Sequence, residues 1–185
     1  NDAEAHYEVG VCYQRLEQFQ AALEYFKKSS DINPIANVFA KSGEVYTNLM
    51  KPDAAIVCLL EAIRLEPSKV SYYSSLVDAY FTKQDFFFAY ETCQKGLAIK
   101  ADDKALIKNM IKIREYVNDW RYREEDEATT KEMNDIALEK YHMPMVKPFD
   151  QFPRRWSQAY KYQNVKIYSE YMESQYQERN QNFRF

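Results

Sequence analysis

The side chains of this chain that could do chemistry are few, and they do not converge. His6 and His142 stand far apart, no Cys-x-x-Cys or His-x-x-x-His spacing occurs, and three glycines cannot build a phosphate-cradling loop. Cys12, Cys58 and Cys93 are odd in number, widely separated and set in apolar helical runs. They read as buried free thiols in a reducing compartment, not as a disulfide framework or a metal site. Glu124 and Asp126 could in principle share acid and base work, but the run Glu124-Glu125-Asp126-Glu127 has the pattern of a solvated surface. Arg154-Arg155-Trp156, with tyrosines nearby, would suit stacking on a single nucleic-acid strand if a basic groove accompanied it, and a chain of net charge -3 does not supply one. No catalytic set, no cofactor, no metal site and no small-molecule substrate is therefore expected, and nucleic acid is disfavoured as a partner. The chemistry that remains is recognition of other proteins.

The elements that would carry such recognition are repeated. Gly10, Gly43 and Val77 occupy one slot, Tyr13, Tyr46 and Tyr80 the next, and Ala22, Ala55 and Ala89 another. Pro67 follows Pro34 by 33 residues and Ala101 follows Pro67 by 34. Within each unit apolar residues recur at three and four, the spacing of a helix face: Val9, Tyr13 and Leu16, then Ala22, Leu23 and Phe26, and again Ile56, Leu59, Leu60 and Ile63. Small residues at Gly10, Ala22, Gly43, Ala55, Ala62 and Ala89 let helix backbones approach closely. Pro52 just inside a helix start, with Asp53 behind it, and Ser68 after Pro67 as a cap, punctuate the helices. A two-helix unit of this size cannot bury its own apolar faces, so the units must stack into an all-α solenoid.

The markers of unit one, Gly10-Val11-Cys12-Tyr13, Ala22 to Phe26 and Asn33-Pro34, resemble the tetratricopeptide repeat. Unit two repeats them with Gly43, Tyr46, Ala55, Leu59, Ala62 and Pro67, and unit three with Tyr73, Leu76, Tyr80, Ala89, Cys93, Gly96 and Ala101. His6, Phe39 and Tyr73 stand where the family often has tryptophan, and Ala101 replaces the last proline, so the third unit is the loosest match. The resemblance covers about residues 1–103. It implies three helix-turn-helix units whose first helices line an inner groove for an extended peptide or a partner helix. The groove residues would be Glu4, Tyr7, Val11 and Gln14 from unit one, Asn37, Lys41, Glu44 and Asn48 from unit two, and Ser71, Ser74, Ser75 and Asp78 from unit three. Family members that grip Hsp70 or Hsp90 tails surround a terminal carboxylate with cationic and amide donors. The corresponding slots here hold Tyr7, Val11, Lys41, Ser71 and Ser75, with one charge among them, which argues against that mode.

Beyond the repeats, Lys104 to Tyr122 reads as one more helix, capping the third unit with Leu106, Ile107, Met110, Ile111, Ile113, Val117 and Trp120, and started by Asp102 or Asp103. The acidic run after it marks a hinge or boundary, followed by a short helix from Lys131 to Tyr141. Pro144, Pro148 and Pro153 then impose extended chain. A final helix carries two aromatic stripes, Trp156, Tyr160, Ile167 and Tyr171, and Tyr162, Val165, Tyr168, Met172 and Tyr176. The expected division is 1–123 solenoid with capping helix, 124–153 acidic hinge, short helix and extended segment, and 154–185 aromatic amphipathic helix and tail.

Such an aromatic helix needs a cover, its own solenoid or another protein, and Phe149, Phe152, Trp156, Tyr160, Tyr168, Tyr171 and Met172 are the interface candidates. The expected function is a non-catalytic scaffold or structural subunit of a larger assembly, anchored through this segment. The alternative is a peptide-recognition adaptor that reads a short extended motif in the groove. No run of ~18 apolar residues is present, so no direct membrane insertion is expected. The compartment expected is intracellular and reducing, the cytoplasm first, with an organelle or cilium open. Asn1 is not methionine, and Ala3 to Leu16 already fill a repeat helix without a polar capping segment, so further repeats are expected ahead of it.

Overall fold

Among the described residues eight long helices follow one another: α1 Asp2–Arg15, α2 Phe19–Ile32, α3 Ala36–Asn48, α4 Pro52–Leu65, α5 Val70–Thr82, α6 Phe86–Ile99, α7 Lys104–Tyr116 and α8 Arg123–Tyr141. The computed structural model describes residues 2–119, 121–141, 166–170 and 172–173, and among them there is no strand. The chain divides into two units, Asn1–Asn118 and Asp119–Phe185.

In the first unit α1 pairs with α2, α3 with α4 and α5 with α6, and each pair packs on the next. The pairing follows from the small residues. A Cβ at Gly10 would lie 2.6 Å from the Phe26 ring, and one at Gly43 would lie 2.5 Å from Leu59 Cγ. Ala22, Ala55 and Ala89 are fully buried beside them. Between the pairs run three clusters of buried side chains. Phe26, Val38 and Val45 close the first pair against the second. Leu59, Tyr72 and Leu76 close the second against the third, and Val77, Cys93, Leu106 and Met110 close the third against α7.

The turn inside each pair repeats as faithfully as the helices. Glu17, Met50 and Gln84 sit in the left-handed region at φ 57, 56 and 63. The next amide reaches back five residues, Gln18 to Tyr13, Lys51 to Tyr46 and Asp85 to Tyr80, each at 2.9 Å. This is the Schellman closure, built here without glycine. Asn118 adopts the same conformation at φ 55 and ends α7 at Tyr116, short of the Tyr122 expected from the apolar pattern.

Several sequence expectations need adjusting. Val9 and Leu16 are exposed, at 38% and 67%, on a helix that among the described residues packs chiefly on α2; Leu60 is likewise exposed, on the outer side of α4. The cysteines are free, but Cys12 is exposed and Cys58 half-buried; only Cys93 is buried. Its thiol, pointing at the Leu106 carbonyl at 3.6 Å, is pushed up to about 12 by burial. Pro52 opens α4 as the pattern requires, whereas Ser68 is not a cap: Lys69 precedes α5 and gives no side-chain bond.

Asp103 does cap α7, its Oδ1 accepting from the amides of Ala105 and Leu106 at 3.2 Å each. Replacing it by alanine is expected to remove about 1 kcal/mol of stability, read as a lowered urea midpoint with unchanged slope. A change in slope instead would mean that α7 had detached altogether.

In the second unit the acidic run lies inside α8, not ahead of a helix that starts at Lys131. Glu124, Glu125 and Asp126 occupy its first turn and Lys140 its last, so the charges complement the helix dipole. Arg123 Nε to Glu127 Oε1 at 2.9 Å and Lys131 Nζ to Asp135 Oδ2 at 2.8 Å offset the repulsion. Thr130 and Asn134, one turn apart, are buried. Residues 166–170 are helical as well. Trp120, the proline-rich stretch and most of both aromatic stripes lie outside the described residues.

Candidate binding groove

The odd-numbered helices form the inner row of the first unit: α1 meets α3, α3 meets α5 and α5 meets α7. Because one repeat is 33 or 34 residues, side chains at equivalent positions of this row fall on one face. Each neighbouring pair in it is joined by at least one polar contact. Gln14 Nε2 donates to Glu44 Oε2 at 3.1 Å between α1 and α3. The Tyr72 hydroxyl donates to Asn37 Oδ1 at 2.7 Å between α3 and α5. Asn109 Nδ2 reaches Ser74 Oγ at 3.5 Å between α5 and α7.

A hollow of about 520 Å³ opens at the α1 and α3 end, and Tyr7, Val11, Gln14, Lys41 and Asn48 line it together with Glu8, Arg15, Glu17 and Phe19. Tyr7 stands on the buried ring of Phe26, centroid to centroid 6.0 Å, and burial raises its hydroxyl pKa while Lys41 lowers it. Lys41 is not a free cation. Its Nζ lies 2.6 Å from Glu44 Oε2, the same oxygen that Gln14 engages, and both charged side chains are about one-third exposed. The hollow therefore offers aromatic rings at Tyr7 and Phe19, an apolar wall at Val11, amides at Gln14 and Asn48, and charged side chains at Glu8, Arg15, Glu17 and the paired Lys41.

Of the remaining groove candidates, Ser75 is half-buried and turned back to the Ser71 carbonyl at 3.3 Å. Asp78 is exposed as a residue, yet its carboxyl lies low among its neighbours. Burial raises its pKa, and Lys112, Asn109 and Lys108 oppose that rise. The Tyr72 phenol, also buried, is pushed up to about 12. Neither Ser75 nor Asp78 lines the hollow; they belong to the α5 end of the row. Glu8, Arg15, Glu17 and Phe19 were missed in the sequence, although Glu8 and Arg15 stand next to the groove positions Tyr7 and Gln14.

Of the carboxy-terminal candidates, Tyr168 is half-buried and Met172 is 50% exposed, while Phe149, Phe152, Trp156, Tyr160 and Tyr171 lie outside the described residues. Among the described residues no cluster of histidine, cysteine and acidic side chains could hold a metal ion. No helix among them is long and apolar enough to cross a membrane.

Stacked helix pairs closed by αL turns, with small residues at each crossing, define a repeat solenoid, and the sequence models of one family match it. Residues 3–34 and 36–69 each match the tetratricopeptide repeat. The chain therefore carries tetratricopeptide repeats over these residues. Among solved structures it is similar to the first such domain of Spaghetti (RPAP3) bound to the HSP90 peptide SRMEEVD, at 20% identity over 63% of this chain and 94% of that one, TM-score 0.60. It is similar also to the second such domain of human RPAP3 in complex with the HSP70 peptide SGPTIEEVD, at 17% identity over 61% and 95%, TM-score 0.58. A third similar structure, MamA 41-end from Desulfovibrio magneticus RS-1, has 19% identity over 73% of this chain and 77% of that one, TM-score 0.66. At these identities the likeness is one of fold. Comparison with curated protein sequences returned no match.

Proposed function

We propose that this chain is a non-catalytic interaction module that receives an extended segment of another protein along the inner face of its repeats. The observation that carries this reading is the hollow beneath Tyr7, where an aromatic ring, an apolar wall and hydrogen-bonding side chains from two helices converge on a shape open to solvent. The bound peptides of the RPAP3 structures support the general mode. They do not carry over in kind. The one cation at the corresponding slots, Lys41, is tied to Glu44, so the segment recognised here is not held by its terminal carboxylate.

Anchorage in a larger assembly through the carboxy-terminal aromatic segment is the second reading, favoured by the half-exposed Met172 and by the aromatic density of residues 156–176. A peptide library screened against the whole chain separates the two. Tyr7→Ala is expected to weaken the selected peptide about ten-fold, the loss of one central aromatic anchor, while Trp156→Ala leaves it unchanged. The opposite pattern would make the tail the recognition site.

A further inference from the structure

The far end of the inner row has a different electrostatic character from the hollow. Lys104, Lys108 and Lys112 recur every four residues on α7, all exposed. At 1.5 Å per residue they form a strip of about 12 Å with steps of about 6 Å, drifting only slowly around the helix. Contacts along its middle and far end show which side of α7 the strip follows. Lys108 and Lys112 both act on Asp78 of α5, Asn109 between them contacts Ser74, and Lys112 Nζ sits 3.8 Å above the Phe81 ring. Lys108 and Lys112 thus border the α5 side of the groove, where Ser71, Ser74 and Ser75 supply hydroxyls and Asp78 is the one carboxylate of α5, and the four-residue step carries Lys104 on along the same helix side. Among the described residues Lys104 and Lys108 make no hydrogen bond or ion pair. Three exposed lysines on one helix, two of them acting on the single carboxylate of α5, are a local reversal in a chain of net charge -3.

We propose that this strip docks an extended acidic segment of a partner protein, with carboxylates on alternate residues; the proposal deepens the groove reading above and rests on it. Alternate residues of an extended chain point the same way and lie about 6.6 Å apart, close to the lysine step of about 6 Å. Each carboxylate in turn can then meet one ammonium. A nucleic-acid strand fits less well, because a polyanion continuing along the inner row would meet Glu44, Glu8 and Glu4. A short acidic segment stops before them.

The test uses the whole chain and a fluorescent, end-blocked peptide of alternating glutamate and threonine, whose ends carry no carboxylate. Fluorescence anisotropy is expected to show binding that weakens with salt, and no binding of the lysine and threonine counterpart. The Lys104→Gln/Lys108→Gln variant, both sites being exposed, is expected to fold normally by circular dichroism and to bind about ten-fold more weakly. Absence of binding to the unaltered chain, equal binding by the variant, or displacement of the peptide by an equal concentration of oligothymidylate would each overturn the proposal. Tyr7→Ala keeps the two readings apart. If it weakens binding of a library-selected peptide while the lysine variant binds both peptides normally, the groove stands and the strip falls. If the lysine variant alone loses binding, the strip stands and the hollow is not the anchor.

Discussion

Phe26→Ala is expected to destabilise the first unit by about 3–5 kcal/mol, the range for emptying a buried aromatic site. Phe26 is fully buried, packs with Ala22, Val38 and Val45, and underlies both Gly10 and Tyr7. The cavity cannot close readily, because the helices around it are held by their own backbone contacts. Against a typical domain stability of about 5–15 kcal/mol, such a loss takes a third or more. A solenoid distributes it unevenly, since each repeat contacts only its neighbours. Hydrogen exchange should therefore show α1, α2 and α3 losing protection first, while α5, α6 and α7, closed by Val77, Leu106 and Met110, keep theirs. Uniform loss along all seven helices would mean that the unit unfolds as one cooperative block. Peptide binding at the hollow should fall in parallel, because Tyr7 loses the ring on which it stands.

Much of this architecture was legible because repetition multiplies weak signals. One alanine at a helix crossing says little, but Ala22, Ala55 and Ala89 at constant spacing say that three crossings are alike, and all three are fully buried. Pro52 and Asp103 were readable for a different reason: each acts locally, one by presetting φ and one by accepting two free amides. The turns inside the pairs were not readable. Glu17, Met50 and Gln84 adopt the conformation that glycine marks, and no residue type announced it there; Asn118 did carry a signal, since asparagine tolerates the left-handed region better than other side chains, and it was passed over. Exposure at Val9, Leu16 and Leu60 was hidden too, since periodicity identifies a face without saying whether a neighbour covers it. Cys12 was misread on the same ground.

The candidate site was legible in outline and not in detail. Register along the repeats places Tyr7, Lys41 and Asn48 beside one hollow. That Gln14 and Lys41 both spend themselves on one oxygen of Glu44 depends on how two helices slide past one another, which no spacing encodes. The lysines of α7 were visible as the polar side of a capping helix. Their placement beside Asp78 follows from the contact of α5 with α7, a tertiary fact.

Gly43 decides how close α3 and α4 can come, and its substitution sets two known effects against each other. Alanine is favoured over glycine in a helix interior by about 1 kcal/mol, so on propensity alone Gly43→Ala should stabilise. A Cβ there, however, would lie 2.5 Å from Leu59 Cγ, 3.0 Å from its Cδ2 and 3.2 Å from the Ala55 carbonyl oxygen. Leu59 Cγ is a branch point close to its own backbone, fully buried, and cannot swing aside as the tip of a long side chain would. The two helices must separate, and overpacking of this kind costs about 1–3 kcal/mol. The clash outweighs the propensity, so Gly43→Ala is expected to destabilise by about 1 kcal/mol net and Gly43→Val by about 3 kcal/mol or more, in urea unfolding. The double variant Gly43→Ala/Leu59→Ala provides the internal check. Removing the branch removes the clash, so its loss should be smaller than the two single losses added, a coupling that only contacting residues show. Simple additivity, or a stabilised Gly43→Ala, would mean that something other than this glycine fixes the spacing of the pair.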